Sequence, residues 1–321
     1  MPGLKRAGHL ARRQSAIVKL AALCVLFYVP DAHAWGLQSH LFFAHYALAA
    51  VPFADPELRA AAARLPRLVM AGACIPDLAI IGQLFLGSPV FRRSHLWSTL
   101  RRIAAAPCDD HERAMTLGYA THLVTDVVAH NEFVPEHEAR VGDTAMIAHI
   151  VSEWAMDDYL RRALRPADAL EEAGAHAVRF VARAFRCSEA FARRALDVLM
   201  RGERLLRASP APWLCRAAVR LMHRHAERRF ALYITKTMQG MGRVETALAG
   251  GFEDWSGLDP EGSQGDGGAD RRAREHIARI VQAEDDARGR GEHRERHQDR
   301  GERRVVAARD QGEGHRVKRV A

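Results

Sequence analysis

The sequence contains no apolar run long enough to cross a membrane as a helix. Its apolar stretch near the amino terminus, residues 21–29, is far shorter than the roughly 20 residues that a spanning helix needs. Basic residues precede this stretch, and Pro30 and Ala32-His33-Ala34 follow it, which is the order of a secretory signal peptide. We therefore expect residues 1–34 to be a signal peptide, and the mature protein to be periplasmic or secreted without a transmembrane segment.

Cysteine is scarce, and no two of the five cysteines have the CxxC spacing of zinc ribbons and thiol redox sites. Both classes of site are therefore excluded. Removal of the signal peptide would leave four cysteines, at positions 74, 108, 187 and 215. An oxidising compartment would permit three disulfide pairings among them. Buried free thiols are the alternative, and the sequence leaves both open.

The chain also lacks a strong excess of one charge sign. Its net charge is +8, and five basic residues against Asp31 place half of that excess in the first 34 residues. The mildly basic remainder would attract anionic lipid or nucleic acid only weakly. Charge therefore does not select a substrate.

Strand-like alternation is scarce between residues 35 and 255, where apolar residues instead recur three and four positions apart. Because 48% of the 321 residues are hydrophobic, this region can bury a core. We predict a single all-α, multi-helix domain over residues 35–255. The predicted helices cover residues 37–50, 56–71, 111–133, 145–164, 166–185, 188–207 and 212–248. Loops are predicted at 74–89 and 131–144.

Large apolar residues become rare after Trp255. Residues 256–321 contain 15 Lys or Arg and 14 Asp or Glu. Such a composition buries too little apolar surface to offset the entropy that ordering costs. We predict that this charged tail is disordered, and we assign it no chemistry.

Histidine and carboxylate side chains recur at helical spacing in two apolar segments. His122, Asp126 and His130 are four residues apart and share one helix face, and His149 and Glu153 repeat the spacing. Burying such ionisable groups without partners would destabilise the folded state by several kcal/mol per group. A metal ion removes that cost, and zinc prefers imidazole and carboxylate ligands. The five residues are therefore candidate zinc ligands, although any single pair would more commonly be a hydrogen bond on a helix surface.

Trp35 would become the first residue of the mature chain. Its α-amino group, with a reference pKa of about 7.7 to 8.0, loses its proton readily to a metal. The amino nitrogen and carbonyl oxygen of one residue can chelate a metal together, and His40 follows five residues later. Trp35 and His40 are therefore further candidate ligands, the alternative for Trp35 being a hydrophobic anchor.

Several short motifs occur in one order along residues 35–158. They are Trp35-Gly-Leu-Gln-Ser-His40, Gly72-Ala-Cys-Ile-Pro-Asp77, Ser94-His-Leu-Trp97, His122-x3-Asp126, His130 and His149-x3-Glu153. In this order the motifs resemble those of the zinc-dependent phospholipase C family. The resemblance implies a helical fold of the phospholipase C and P1 nuclease type, with two or three bound zinc ions.

The resemblance also implies a role for each matched residue. Trp35 and His40 would bind one zinc, and Asp126 would bridge it to a second zinc that also takes His95 and His122. A third zinc would take His130, His149 and Glu153. Asp77 would be the catalytic residue and would orient or deprotonate the attacking water.

Two features depart from the family pattern or fall outside it. The Asp126–His130 spacing is shorter than in many bacterial members, although it is similar to that of glycosylphosphatidylinositol-specific phospholipase D relatives. His137, which follows Pro135, is therefore an alternative ligand. The remaining histidines of the domain are expected to be surface or capping residues: His45, His111, His176, His223 and His225.

The function that the resemblance implies is hydrolysis of phospholipid phosphodiesters through a metal-activated water, by a monomer at a membrane surface. One alternative is a single-strand nuclease of the S1/P1 type, whose partner would be nucleic acid. Those nucleases usually end their last motif with Asp, whereas this chain has Glu153. A second alternative is an exported zinc-binding protein without catalysis, against which Asp77 argues because a metal store needs no such carboxylate.

Overall fold

A computed structural model describes residues 36–105, 107, 109–141, 145–160, 165–223, 225–251 and 260. These residues lie within one compact unit and contain helices but no strand, which confirms the all-α, single-domain prediction. The first half of the chain forms α1 Leu37–Ala50, α2 Pro56–Arg64, α3 Pro66–Gly72, α4 Leu78–Leu84, a 3-10 turn Pro89–Phe91, α5 Trp97–Ala104 and α6 Asp110–Val128. The predicted signal peptide, Trp35 and all of the charged tail except residue 260 fall outside the described residues.

A π-helical turn, Ala129–Phe133, continues α6 directly into the next helix. The remaining elements are α7 Val134–Val141, α8 Ala145–Tyr159, α9 Pro166–Phe185, α10 Glu189–Ala208, α11 Ala211–Met222, α12 Ala226–Gly240, a 3-10 turn Met241–Arg243 and α13 Val244–Leu248. None of the described helices combines the length and apolar character that a membrane crossing needs.

Helix α6 lies at the centre of the fold. Residues 114–126 of this helix are all buried, and α1, α2, α3, α5, α12 and α13 pack against it. The approach of α3 to α6 depends on two glycines. A β-carbon at Gly118 would lie 1.8 Å from the carbonyl oxygen of Val69, and one at Gly72 would lie 2.1 Å from that of Met115. Because glycine has no β-carbon, the backbones of α3 and α6 can touch at these two positions.

Several predicted boundaries are wrong. The predicted helix 56–71 is two helices, because Pro66 disfavours helical geometry at Leu65, whose φ and ψ are −128° and 46°. The predicted helix 212–248 is interrupted at His223, which has extended φ and ψ. The 74–89 loop contains α4, and the 131–144 loop contains part of the π turn and α7. The eight-residue helix α5 was not predicted, since two turns give too little periodicity.

Candidate metal centre

Seven of the candidate ligands and the candidate catalytic residue Asp77 converge from separate parts of the chain. Helix α6 supplies His122 and Asp126, the π turn supplies His130, and α8 supplies His149 and Glu153. The other three are His40 from the first turn of α1, Asp77 immediately before α4, and His95 from the segment before α5. All eight side chains are buried. Because α6 is enclosed by other helices, its polar face opens onto these side chains and not onto bulk water.

Asp126 lies at the middle of the first group. Its Oδ2 is 2.9 Å from His122 Nε2 and 3.6 Å from His95 Nε2, and its Oδ1 is 3.3 Å from His40 Nε2. Asp77 Oδ1 lies 3.6 Å from His95 Nε2 and 3.8 Å from His122 Nε2. Ligand atoms of His40, His122 and Asp126 lie within 4.8 Å of one another, and so do those of Asp77, His95 and His122. His122 thus belongs to both sets.

Hydrogen bonds fix the tautomers of two of these histidines. His122 Nδ1 is 2.7 Å from the carbonyl oxygen of Ala73, which can only accept, so Nδ1 carries the proton. Ser94 Oγ donates to the carbonyl oxygen of Pro76 at 2.6 Å, so it accepts from His95 Nδ1 at 3.3 Å. Both Nε2 atoms therefore present lone pairs, and both are free to coordinate a metal.

These two lone pairs face each other across 3.2 Å. Two such acceptors repel unless a proton or a metal ion lies between them. Tetrahedral zinc with bonds of about 2.0–2.1 Å places neighbouring ligand atoms roughly 3.3 Å apart, close to the observed separation. The carboxylates favour a cation here as well: burial acts to lower the pKa of His122, but the charges of Asp126 and Asp77 outweigh it and raise that pKa.

Four carboxylate oxygens at this centre are buried, and imidazole nitrogens lie beside them. They are Asp77 Oδ1, Asp126 Oδ1, Asp126 Oδ2 and Glu153 Oε1. Burial raises the pKa of Asp126, an effect that His122 only partly opposes. A buried carboxylate needs hydrogen bonds, a proton or a metal. The arrangement of the oxygens with imidazole nitrogens fits the ligand preferences of zinc.

His130, His149 and Glu153 form the second group. His149 Nε2 lies 2.8 Å from Glu153 Oε1, and the centroids of the His130 and His149 rings are 5.3 Å apart. One ligand atom from each of the three residues lies within 4.8 Å of the others. Burial raises the pKa of Glu153 to about 8, against the opposing charge of His149. His130 Nε2 is also 3.8 Å from Asp126 Oδ1, so the two groups adjoin.

The alternative ligand His137 lies outside these groups. Its Nδ1 is 2.8 Å from the carbonyl oxygen of Phe133, and its ring packs against Phe133 and Phe230. The expectation of a surface position is wrong for His223, which is buried with Nε2 3.9 Å from Glu136 Oε1. His223 does have the predicted capping role, since its Nδ1 accepts the N–H of His225 at 3.2 Å at the end of α11.

Other predictions can be compared with the structure directly. His45 is exposed, and the rings of His111 and His176 stack on each other outside the core, as expected of surface residues. Cys74, Cys187 and Cys215 form no disulfide among the described residues, Cys74 and Cys215 being buried and Cys187 partly buried. Cys108 falls outside the described residues.

Two buried acids were missed in the sequence. Asp157 follows Glu153 by four residues and accepts hydrogen bonds from the start of α1. Its spacing from His149 and Glu153 was a usable signal. Glu136 binds Arg229 and Tyr233 of α12, and no local pattern in the sequence marks that contact.

The fold and the centre together define an all-α protein with buried histidine and carboxylate groups suited to metal ions. A family model for zinc dependent phospholipase C matches residues 39–201, which is half of the chain. The chain belongs to this family. No curated protein and no solved structure matches it.

Proposed function

We propose that the protein is an exported zinc-dependent hydrolase that cleaves phosphodiester bonds of phospholipids. The observation that carries the proposal is the facing pair of Nε2 lone pairs of His95 and His122, bounded by Asp77 and Asp126. Membership of the zinc-dependent phospholipase C family supports the choice of metal and substrate class. Export follows from the predicted cleavage after Ala34.

We assign three zinc positions. His40 and Asp126 would hold the first together with Trp35, and Asp126 would share a second with His95 and His122. His130, His149 and Glu153 would hold the third. Distances between the described residues support this division. His40 Nε2 lies 3.3 Å from Asp126 Oδ1, and His95 and His122 Nε2 lie 3.6 and 2.9 Å from Asp126 Oδ2. Ligand atoms of the third set lie within 4.8 Å of one another. Bound zinc would lower the pKa of a coordinated water and neutralise charge on the attacked phosphodiester.

Asp77 would orient the attacking water and accept its proton. Its Oδ1 accepts no hydrogen bond from the described residues and faces His95 and His122. The backbone of Asp77 begins α4, which holds the carboxylate at a fixed place beside the centre. The rings of His122 and His95 are oriented by hydrogen bonds to Ala73 and Ser94. Their Nε2 atoms would bind zinc, so they would not compete with Asp77 for the proton of the attacking water.

The test is zinc content and hydrolysis on the mature protein, with Asp77→Asn compared against Asp168→Asn. Asp168 is exposed on α9, so its change should alter neither property. Asp77→Asn should lower hydrolysis of a phosphatidylcholine-like chromogenic diester by about 10²–10⁴-fold, the usual contribution of a positioned base. Its zinc content should stay near the wild-type value.

Several outcomes would refute the proposal. A wild-type protein without zinc would remove its basis, and unchanged hydrolysis in Asp77→Asn would refute the catalytic role. Single-stranded DNA is assayed in parallel, and cleavage of DNA in place of the lipid analogue would establish the nuclease alternative. Zinc binding without turnover of either substrate would establish the non-catalytic one.

A further inference from the structure

The amino end of α1 is held by a side chain from another helix. Ser39 donates to Asp157 Oδ1 through its backbone N–H at 2.9 Å and through its hydroxyl at 2.6 Å. The N–H of Gln38 lies 3.4 Å from Asp157 Oδ2. The first N–H groups of a helix need outside acceptors, and the residue before α1, Gly36, has no side chain to offer one. Asp157 therefore caps α1 from α8.

Gly36 and Asp157 touch more closely than any other residue type at position 36 would allow. A β-carbon there would lie 1.9 Å from Asp157 Oδ2 and 2.3 Å from its Cγ. Any side chain at position 36 would therefore displace the carboxylate. The contact requires both glycine on one side and a short acid on the other.

A second helix also contacts this turn. Arg207 of α10 donates to Gln38 Oε1 at 2.5 Å and to Glu203 Oε1 at 2.7 Å. This contact involves only the side chain of Gln38, whereas Asp157 accepts hydrogen bonds from the backbone N–H groups of the turn. Asp157 is therefore the residue that fixes the backbone of the turn.

The turn that Asp157 holds leads directly into His40, whose Nε2 lies 3.3 Å from Asp126 Oδ1. On α8, Asp157 follows Glu153 by one helical turn, so the two side chains share a face. One face of α8 thus supplies a ligand to the second group and holds the helix that supplies a ligand to the first. The spacing between the groups depends on that face.

We propose that Asp157 is a positioning residue, which holds the first turn of α1 so that His40 reaches the metal shared with Asp126. The inference rests on the proposed function, because it requires bound zinc. Asp157 acts through Ser39 and the backbone. Its removal should therefore affect the His40 side of the centre and leave the His130, His149 and Glu153 group intact.

The experiment is a chelator titration of the zinc-loaded, full-length mature protein, with released zinc per chain followed by a zinc-responsive dye. Asp157→Ala should weaken one zinc by about 10- to 100-fold, the usual effect of removing a side chain that orients a metal ligand. The remaining zinc should leave at the wild-type chelator concentration. A release curve identical to that of the wild type would overturn the inference.

Asp158→Ala is the matched control. Asp158 is the next residue on α8, but its carboxylate lies 3.4 Å from Arg216 of α11. Its replacement should lower the melting temperature and leave zinc release unchanged. If Asp158→Ala shifts the release curve as far as Asp157→Ala does, a general loosening of α8 explains both, and the positioning role is refuted.

Two further variants distinguish loss of the contact between Asp157 and the first turn of α1 from a general loss of folding. Asp157→Asn keeps an oxygen for Ser39 and should retain most of the wild-type zinc affinity. Gly36→Ala should resemble Asp157→Ala, and the double variant should lose little more, because both changes break one contact. Independent, additive losses would contradict the proposal. A wild type without zinc would refute the proposed function, whereas a zinc-loaded wild type whose variants behave identically would refute only this inference.

Discussion

Among the described residues, the buried acid cluster around Glu136 and the one around Asp126 are satisfied in different ways. Glu136 is fully buried but receives Arg229 Nε at 3.0 Å and the Tyr233 hydroxyl at 2.5 Å. Burial acts to raise the pKa of Glu136, but these hydrogen bonds outweigh it and lower that pKa. The cluster around Asp126 has no Arg, Lys or Tyr donor to its carboxylate oxygens among the described residues.

The difference distinguishes a structural acid from a metal ligand. Both clusters bury negative charge, but only one carries the opposite charge within the chain. Asp126 and Glu153 have raised pKa values through burial, whereas the pKa of Glu136 is lowered. The cluster around Asp126 therefore needs a cation from solution, and the cluster around Glu136 does not. Four predictions test this contrast, from the largest expected effect to the smallest.

Asp126→Ala should abolish most of the activity. Its carboxylate adjoins four imidazoles, so under the proposed zinc assignment its loss would remove a ligand shared between metal positions. Metal stabilisation of the transition state is worth several kcal/mol. We therefore expect a fall of about 10³-fold or more in kcat/KM, since each 1.36 kcal/mol is tenfold. The assay is diester hydrolysis with zinc content measured on the same sample, and full activity with less zinc would contradict the assignment.

Glu136→Ala should destabilise the fold and leave the zinc content unchanged. It would remove an acceptor from the buried Tyr233 hydroxyl and the part-buried Arg229 guanidinium, at a cost of about 3 kcal/mol, the lower end of the range for breaking a buried ion pair. Urea unfolding measures the loss. Addition of zinc should not restore stability, because this cluster is satisfied by the chain itself. Recovery on adding zinc would show that the two clusters are not independent.

Gly118→Ala should lower the free energy of unfolding by about 1–3 kcal/mol. The added methyl group would overpack the contact with Val69 and push α6 away from α3. That shift would also move His122 away from the carbonyl oxygen of Ala73. Gly202→Ala is the control, since a β-carbon there meets nothing within 4 Å. The control should stabilise helix α10 by about 0.5–1 kcal/mol. Thermal unfolding of both variants checks the prediction, and equal effects would refute it.

The metal-free protein should show opposite pH dependences from the two clusters. Because the pKa of Glu153 is raised from 4.5 to about 8 on folding, its burial should lower stability as pH rises through that window. Glu136, with a lowered pKa, contributes stability that is lost as pH falls below its ordinary value. Unfolding of the metal-free wild type, Glu153→Gln and Glu136→Gln at several pH values separates the two. A Glu153→Gln profile identical to the wild type would contradict the first assignment.

Helical periodicity was sufficient to predict much of this architecture. The bounds of α1 and α9 agree with those predicted. In α9, 20 residues of an amphipathic helix give many repeats of the pattern. His122, Asp126, His149 and Glu153 were found by their spacing alone. His95 and Asp77 lie beside short helices and have no such spacing, so only the family resemblance identified them.

Tertiary contacts could not be predicted in the same way. Glu136 and Arg229 are 93 residues apart in the sequence. His223 was expected at the surface because nothing near it in the chain indicates Glu136. The cap of α1 was also hidden, since its acceptor Asp157 lies 118 residues from Ser39. Local patterns predict helices, but they do not identify which distant side chain satisfies a buried group.

The π turn at Ala129–Phe133 directs His137 away from the helix face that carries Asp126. In an uninterrupted α-helix, His137 would lie eleven residues after Asp126 and so almost directly above it, at 3.6 residues per turn. A single π turn acts as a one-residue insertion and rotates everything beyond it by roughly 100°. His137 is thereby directed towards Phe230, while His130 stays beside Asp126. Because the turn accommodates one extra residue, deleting one residue after His130 would restore a regular helix in which His137 still lies roughly 80° from the face that carries Asp126.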